Sequence, residues 1–185
     1  MELRTDERIK KLLIQTKRKG IENLIEWMEQ EGFFDAPCSS KYHLSEPGGL
    51  AKHSLNVFRT AIEETIGFFQ DNQSKVTFDF IDSITLCALL HDVGKTGQFG
   101  KPNYTMCGEG TTATYEINKN LLYIPHEVRS IAILSKFIDL TEEEQYAILY
   151  HNGLYGEMKG FKGKETPLLM LLHFADMWAS RVVEK

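Results

Sequence analysis

Cysteine is scarce in this chain. Its three residues, Cys38, Cys87 and Cys107, form no CxxC pair. That excludes a disulfide framework and a thiolate-clustered structural zinc site, and it fits a reducing compartment. Each cysteine reads as a buried small side chain or a free thiol. Long apolar runs are missing too, since none approaches the roughly 18 residues of a membrane span. The N-terminus is charged from Glu2 onward, so no secretory leader is expected and the expected location is cytoplasmic. Positive charge is not in excess: 21 Lys and Arg against 26 Asp and Glu give a formal net charge of −5. That argues against a general nucleic-acid-coating role and leaves local basic patches open. No internal repeat, low-complexity tract or linker interrupts the chain. Its 185 residues are read as one domain, 1–185, with N-terminal helices (about 5–30) packed on a core of about 41–183.

What is present is mostly helical periodicity. About Asp6 to Lys19 places Ile9, Leu12, Leu13 and Thr16 on one face, and Ile21, Leu24, Ile25 and Met28 continue a second apolar face after Gly20. Residues 31–49 read as a loop. A long helix is expected from about Gly49 to Phe69, with His53 on or beside its apolar stripe. About Asp79 to Asp92 is apolar almost all round from Ile84 onward, which marks a central, buried helix. The alternation around Thr112 to Ile117 and the turn-like Asn118-Lys119-Asn120 predict a small β-hairpin within Tyr104 to Leu122. Helices follow over about Pro125 to Phe137, from the capping-box pattern at Thr141 to near His151, and from Thr166-Pro167 onward. The fold class is all-α, with that hairpin as its exception.

The polar residues that break these apolar stripes carry the chemistry. In Leu89-Leu90-His91-Asp92-Val93-Gly94-Lys95 an apolar run ends in two adjacent metal-ligand types. A divalent cation is the economical reason to bury a carboxylate there. His53, His151 and Asp176 lie at wide spacing on other predicted helices or their ends, so all should face inward, as ligands from facing helices must. With His126 the set is large enough for two ions. Imidazole and carboxylate donors suit Mn, Fe, Ni, Co, Mg or Zn. A buried His–Asp pair satisfied by hydrogen bonds is the plainer alternative.

These blocks, in this order, resemble the HD-domain metal-dependent phosphohydrolases. Gly48-Gly49-Leu50-Ala51-Lys52-His53-Ser54-Leu55-Asn56-Val57 is similar to the family's first-histidine helix. Leu89 to Lys95 is similar to its signature, and Leu172-His173-Phe174-Ala175-Asp176 to its last-aspartate helix. His126 with Ser130, and Tyr150-His151-Asn152-Gly153, resemble the blocks that add histidines in binuclear members, as in the HD modules of some bacterial 3′–5′ exoribonucleases and the HD-GYP phosphodiesterases. The resemblance runs from about Lys41 to Arg181. It implies an HD-type helical bundle, with one ion on His53, His91, Asp92 and Asp176 and a second on His126 and His151, Asp92 bridging. It also implies hydrolysis of a phosphoester by a metal-activated water.

Other residues are assigned more loosely. Lys95 is expected to bind substrate phosphate and steady transition-state charge; a solvated helix-end lysine is the alternative. His43, in Lys41-Tyr42-His43, is expected near the cleft as a phosphate contact or proton donor, or else in an ordinary loop. His173 shares a helix face with Asp176 and is expected to support a ligand rather than bind the ion. Gly153 to Gly163, with Tyr155, Lys159 and Lys162, reads either as a lid or as a plain connection. Lys10, Lys11, Lys17, Arg18 and Lys19 read as a solvated helix face. The expected function is phosphomonoester or phosphodiester hydrolysis on a small substrate, nucleotides being favoured and nucleic acid not. The rivals are a nuclease-like phosphodiesterase on oligonucleotides or cyclic dinucleotides, and a non-catalytic nucleotide-binding sensor. Homodimerisation through the N-terminal helices is compatible with the pattern but not demanded by it.

Overall fold

The computed structural model describes residues 3–69, 76–108, 114–153 and 163–185. Among them the chain is mainly helical: α1 Thr5–Gln15, α2 Ile21–Gln30, α3 Gly49–Phe68, α4 Phe78–Leu90, α5 His126–Leu134, α6 Glu142–Tyr150 and α7 Pro167–Trp178. Every side chain of α4 from Ile84 to Leu90 is buried. A helix with no polar face can only sit in the middle, and α1, α3, α6 and α7 pack around it. The inner stripes of α3 and α7, with Leu50, Val57, Ala61, Leu168, Leu172 and Ala175, complete this core.

Local signals set the helix starts. Thr77 Oγ1 accepts from the Phe80 amide at 3.1 Å to open α4. Thr166 does the same for α7, with Pro167 at the first helical position. Thr141 and Glu144 form the expected reciprocal capping box at 3.1 and 2.8 Å.

Two segments depart from expectation. α1 ends at Gln15 rather than Lys19, because Lys17 takes a left-handed conformation (φ 52°). That reversal turns Arg18 inward. Its guanidinium holds Glu144 Oε1 at 2.6 Å and Oε2 at 2.9 Å, and Lys10 pairs with Glu29. The expected solvated face therefore shrinks to Lys11, Lys17 and Lys19.

The hairpin forms within the expected Tyr104 to Leu122, but with its turn in another place. β3 (Tyr104–Cys107) pairs antiparallel with β4 (Thr114–Ile117), so the chain reverses before β4 and not at Asn118 to Asn120. Residues 112 and 113 lie outside the described residues. The turn-forming chemistry of Asn118 is real but local: its Oδ1 accepts from the Asn120 amide at 2.9 Å, and its Nδ2 donates to the Pro102 carbonyl. A second, two-residue pairing, β1 (Gly97–Gln98) with β2 (Lys101–Pro102), turns on Phe99 and Gly100, both at positive φ. Both hairpins lie between α4 and α5, where a β insertion was expected. Among the described residues no helix is long and apolar enough to cross a membrane.

Candidate metal centre

Five helices deliver their ends or inner faces to one buried point. His53 comes from the second turn of α3, His126 opens α5, and Asp176 lies near the end of α7. His91 and His151 occupy equivalent places, each the C-terminal cap of its helix, α4 and α6. A helix end leaves carbonyls without partners. Each of these histidines donates Nδ1–H back to the carbonyl three residues earlier, His91 to Ala88 at 3.0 Å and His151 to Ile148 at 2.7 Å. A carbonyl oxygen only accepts, so the proton is fixed on Nδ1 and the lone pair on Nε2 points inward.

Asp92 follows α4 directly and is 1 % exposed. Its two oxygens divide the imidazoles into pairs. Oδ2 stands 3.6 Å from His53 Nε2 and 3.4 Å from His91 Nε2. Oδ1 stands 3.2 Å from His126 Nε2 and 3.6 Å from His151 Nε2. Asp176 Oδ1 lies 3.1 Å from His53 Nε2. The ligand atoms of His53, His91 and Asp176 lie within 4.8 Å of one another, as do those of His91, Asp92 and His151.

His126 reaches this point because of Gly94. The 3-10 turn Val93–Thr96 presses on the first turn of α5, and the Gly94 amide donates to Ser130 Oγ at 2.8 Å. A Cβ at Gly94 would collide with the His126 carbonyl and stand 2.8 Å from the Ser130 nitrogen.

The donor set suits a divalent ion. His53 Nε2, His91 Nε2 and Asp92 Oδ1 are buried without a hydrogen-bond partner, an expensive state for polar atoms. His126 Nε2 and His151 Nε2 are 3.3 Å apart. Two nitrogens each about 2.0–2.1 Å from one tetrahedral ion are separated by about that distance.

The titration behaviour divides the imidazoles: His151 and His126 are held neutral, as ligands must be, whereas His53 holds its proton between two carboxylates until an ion displaces it. Burial, with His91 close by, pushes His151 down to about 3. Burial likewise lowers His126. Burial opposes the Asp92 charge, yet Lys95 and His91 hold its carboxyl well below the usual range. Burial also opposes the charges of Asp176 and His53. Their mutual contact outweighs it, holding Asp176 down and, with Cys38 and Glu184, His53 well up.

A cleft of about 670 Å³ opens over the centre, with Tyr42, His43, Lys95, Asp176, Arg181 and Glu184 among its lining residues. That volume lies within the range of small-molecule sites. Lys95 Nζ sits 2.5 Å from Asp92 Oδ2, so it joins the centre to the cleft rather than facing solvent. His43 is near, its ring 5.1 Å from that of His53. Burial and the His53 charge lower His43, favouring a neutral, hydrogen-bonding imidazole. Among the described residues His173 binds no carboxylate; its Nδ1 lies 2.8 Å from the His151 carbonyl, and its ring packs against Gly153. All six histidines of the chain thus gather at or beside the centre.

Of the segment Gly153 to Gly163, residues 154–162, with Tyr155, Lys159 and Lys162, lie outside the described residues. Sequence reasoning missed Glu184, whose carboxylate stands 3.1 Å from His53 Nδ1. It sits beside Lys185 after the last apolar stripe, where a charge reads as solvated. No family model, curated protein or solved structure matches the chain.

Proposed function

We propose that this chain is a metal-dependent phosphohydrolase of the HD-domain kind, acting on small phosphoesters, with nucleotides as the favoured class. The observation that carries this reading is the convergence of four imidazole Nε2 atoms on the two oxygens of one buried carboxylate, beneath an open cleft. His53, His91, Asp92 and Asp176 would hold one divalent ion, and His126 and His151, sharing Asp92, a second. When bound, such ions supply an acidified water and positive charge against phosphoryl oxygens.

The chain's own groups supply the rest. Lys95 neutralises Asp92 and reaches the cleft, so its ammonium can hold a phosphoryl oxygen. His43, which also lines the cleft, can hydrogen-bond the ester oxygen that departs. Tyr42, 83 % exposed among the cleft residues, offers an aromatic face on which a base can stack. Lys95, Arg181 and Lys185 line the cleft beside the carboxylates of Asp176 and Glu184, so the positive charge that would hold an anionic ligand there would come from the bound ions together with these cations.

The test is elemental analysis of the purified chain, then a phosphoester panel with Mn²⁺, Fe²⁺, Ni²⁺, Co²⁺, Mg²⁺ and Zn²⁺ in turn. Metal-dependent turnover, absent in Asp92→Ala, is the expected result. Release of inorganic phosphate marks a monoesterase, and release of mononucleotides from oligonucleotides marks a diesterase. A metal-loaded chain that binds nucleotides yet turns over nothing on the panel contradicts the proposal.

A further inference from the structure

The α3 ligand, His53, differs from its partners in how its ring is held. His91 and His151 sit at helix ends and use carbonyls of their own helices. His53 lies inside α3, where backbone carbonyls are taken up by the helical ladder. Its Nδ1 needs an acceptor from elsewhere, and the chain brings one from 131 residues further on, in the turn that packs on α3. Beyond α7, residues Ala179–Val183 form a π-helical turn, closed by the Glu184 amide donating to the Ala179 carbonyl at 3.0 Å. Widened turns of this kind often occur at functional sites. Here it carries the Glu184 side chain inward, leaving that side chain 1 % exposed.

The carboxylate is held on two sides. Both of its oxygens stand 3.1 Å from His53 Nδ1. Asn56, three residues further along α3 and so on the same face, donates Nδ2–H to Oε1 at 3.0 Å. Burying a carboxylate is costly without such partners. The geometry is that of a carboxylate–histidine–metal relay, in which an acceptor on one ring nitrogen aims the other at the ion.

We propose that Glu184 is a positioning residue of the metal centre, holding the proton of His53 on Nδ1 and aiming Nε2 at the ion shared with His91, Asp92 and Asp176. This inference rests on the reading of the centre as a metal site.

The test measures Zn²⁺ affinity of the full chain by competition with a chromophoric chelator. It also follows the Nδ1–H proton resonance of His53 in the ¹⁵N-labelled, Zn²⁺-loaded chain. Glu184→Ala is expected to weaken Zn²⁺ binding about 10–100-fold and to abolish the resonance. Glu184→Gln, whose amide oxygen still accepts from Nδ1, is expected to restore most of the affinity and to keep the resonance. Wild-type affinity and an intact resonance in Glu184→Ala would overturn the role of Glu184 while leaving the centre standing. Loss of both in Glu184→Gln overturns it too, and carries the test alone if the alanine variant does not fold. A wild-type chain that binds no Zn²⁺ removes the centre itself, and the inference with it.

Discussion

Asp92 concentrates more of the site's physics than any other side chain. It is buried, ionised, approached by four imidazoles and paired with Lys95. Asp92→Ala is expected to lose metal and turnover together. Lys95→Ala should separate the two: elemental analysis should find the metal retained, while kcat falls about 10²–10³-fold, the usual loss for one transition-state charge donor. Equal loss of metal in both variants would place Lys95 among the determinants of ion binding instead. Gly94 is a second single-residue test. Its contact with the His126 backbone leaves no room for a methyl group. Gly94→Ala should cost about 1–3 kcal/mol of stability, in the range of overpacked sites. It should also weaken the His126–His151 side of the centre, read as a lower metal stoichiometry. An unchanged melting temperature and stoichiometry would show that the turn can move away from α5.

Among the elements, α6 depends on an ion pair that the sequence only half announces. Glu144 is legible as a capping-box residue, and it does cap. Its partner Arg18 was unreadable. The left-handed kink at Lys17 that directs it inward is a backbone event with no periodic signature, and the pairing spans 126 positions. The Glu144 side chain is fully buried and also accepts from Ser83 at 2.7 Å. Arg18→Ala leaves that carboxylate uncompensated and should cost about 3–5 kcal/mol, whereas Lys10→Ala, whose partner Glu29 is half exposed, should cost about 1 kcal/mol or less. Burial opposes the charge of Glu144, but Arg18 and the Thr141 amide hold its carboxyl below the ordinary value. A depressed folded-state pKa adds stability that is present above the unfolded value of about 4.3 and lost as pH falls through the folded one. Urea melts at falling pH should show that loss in the wild type and a weaker one in Arg18→Ala. Parallel curves would rule the pair out as its source. Glu184 was hidden for a related reason: a π-helical turn shifts the facing of one charged residue, and periodicity cannot foresee the shift. His53, His91, Asp92, His151 and Asp176 were legible because each puts a ligand type in or beside an apolar stripe, whereas His126, at a helix start, was legible only through the resemblance of its block. The β1–β2 pairing was not, since two-residue strands carry no alternation.

For the whole molecule, the centre lies where five helices meet, so ion binding and folding should be coupled. A ligand at 100 times its Kd adds about 2.7 kcal/mol to the folded state. For a chain of this size that raises the melting temperature by about 5–10 °C. Saturating the chelator-stripped chain with Zn²⁺ or Mn²⁺ should produce that shift, and Asp92→Ala should show none. The most direct measurement is anomalous scattering from crystals grown with Zn²⁺ or Mn²⁺. The account predicts a peak about 2.0–2.2 Å from His53 Nε2, His91 Nε2 and carboxylate oxygens of Asp92 and Asp176. Occupied ions elsewhere on the chain, with these atoms bonded only to one another, would contradict it.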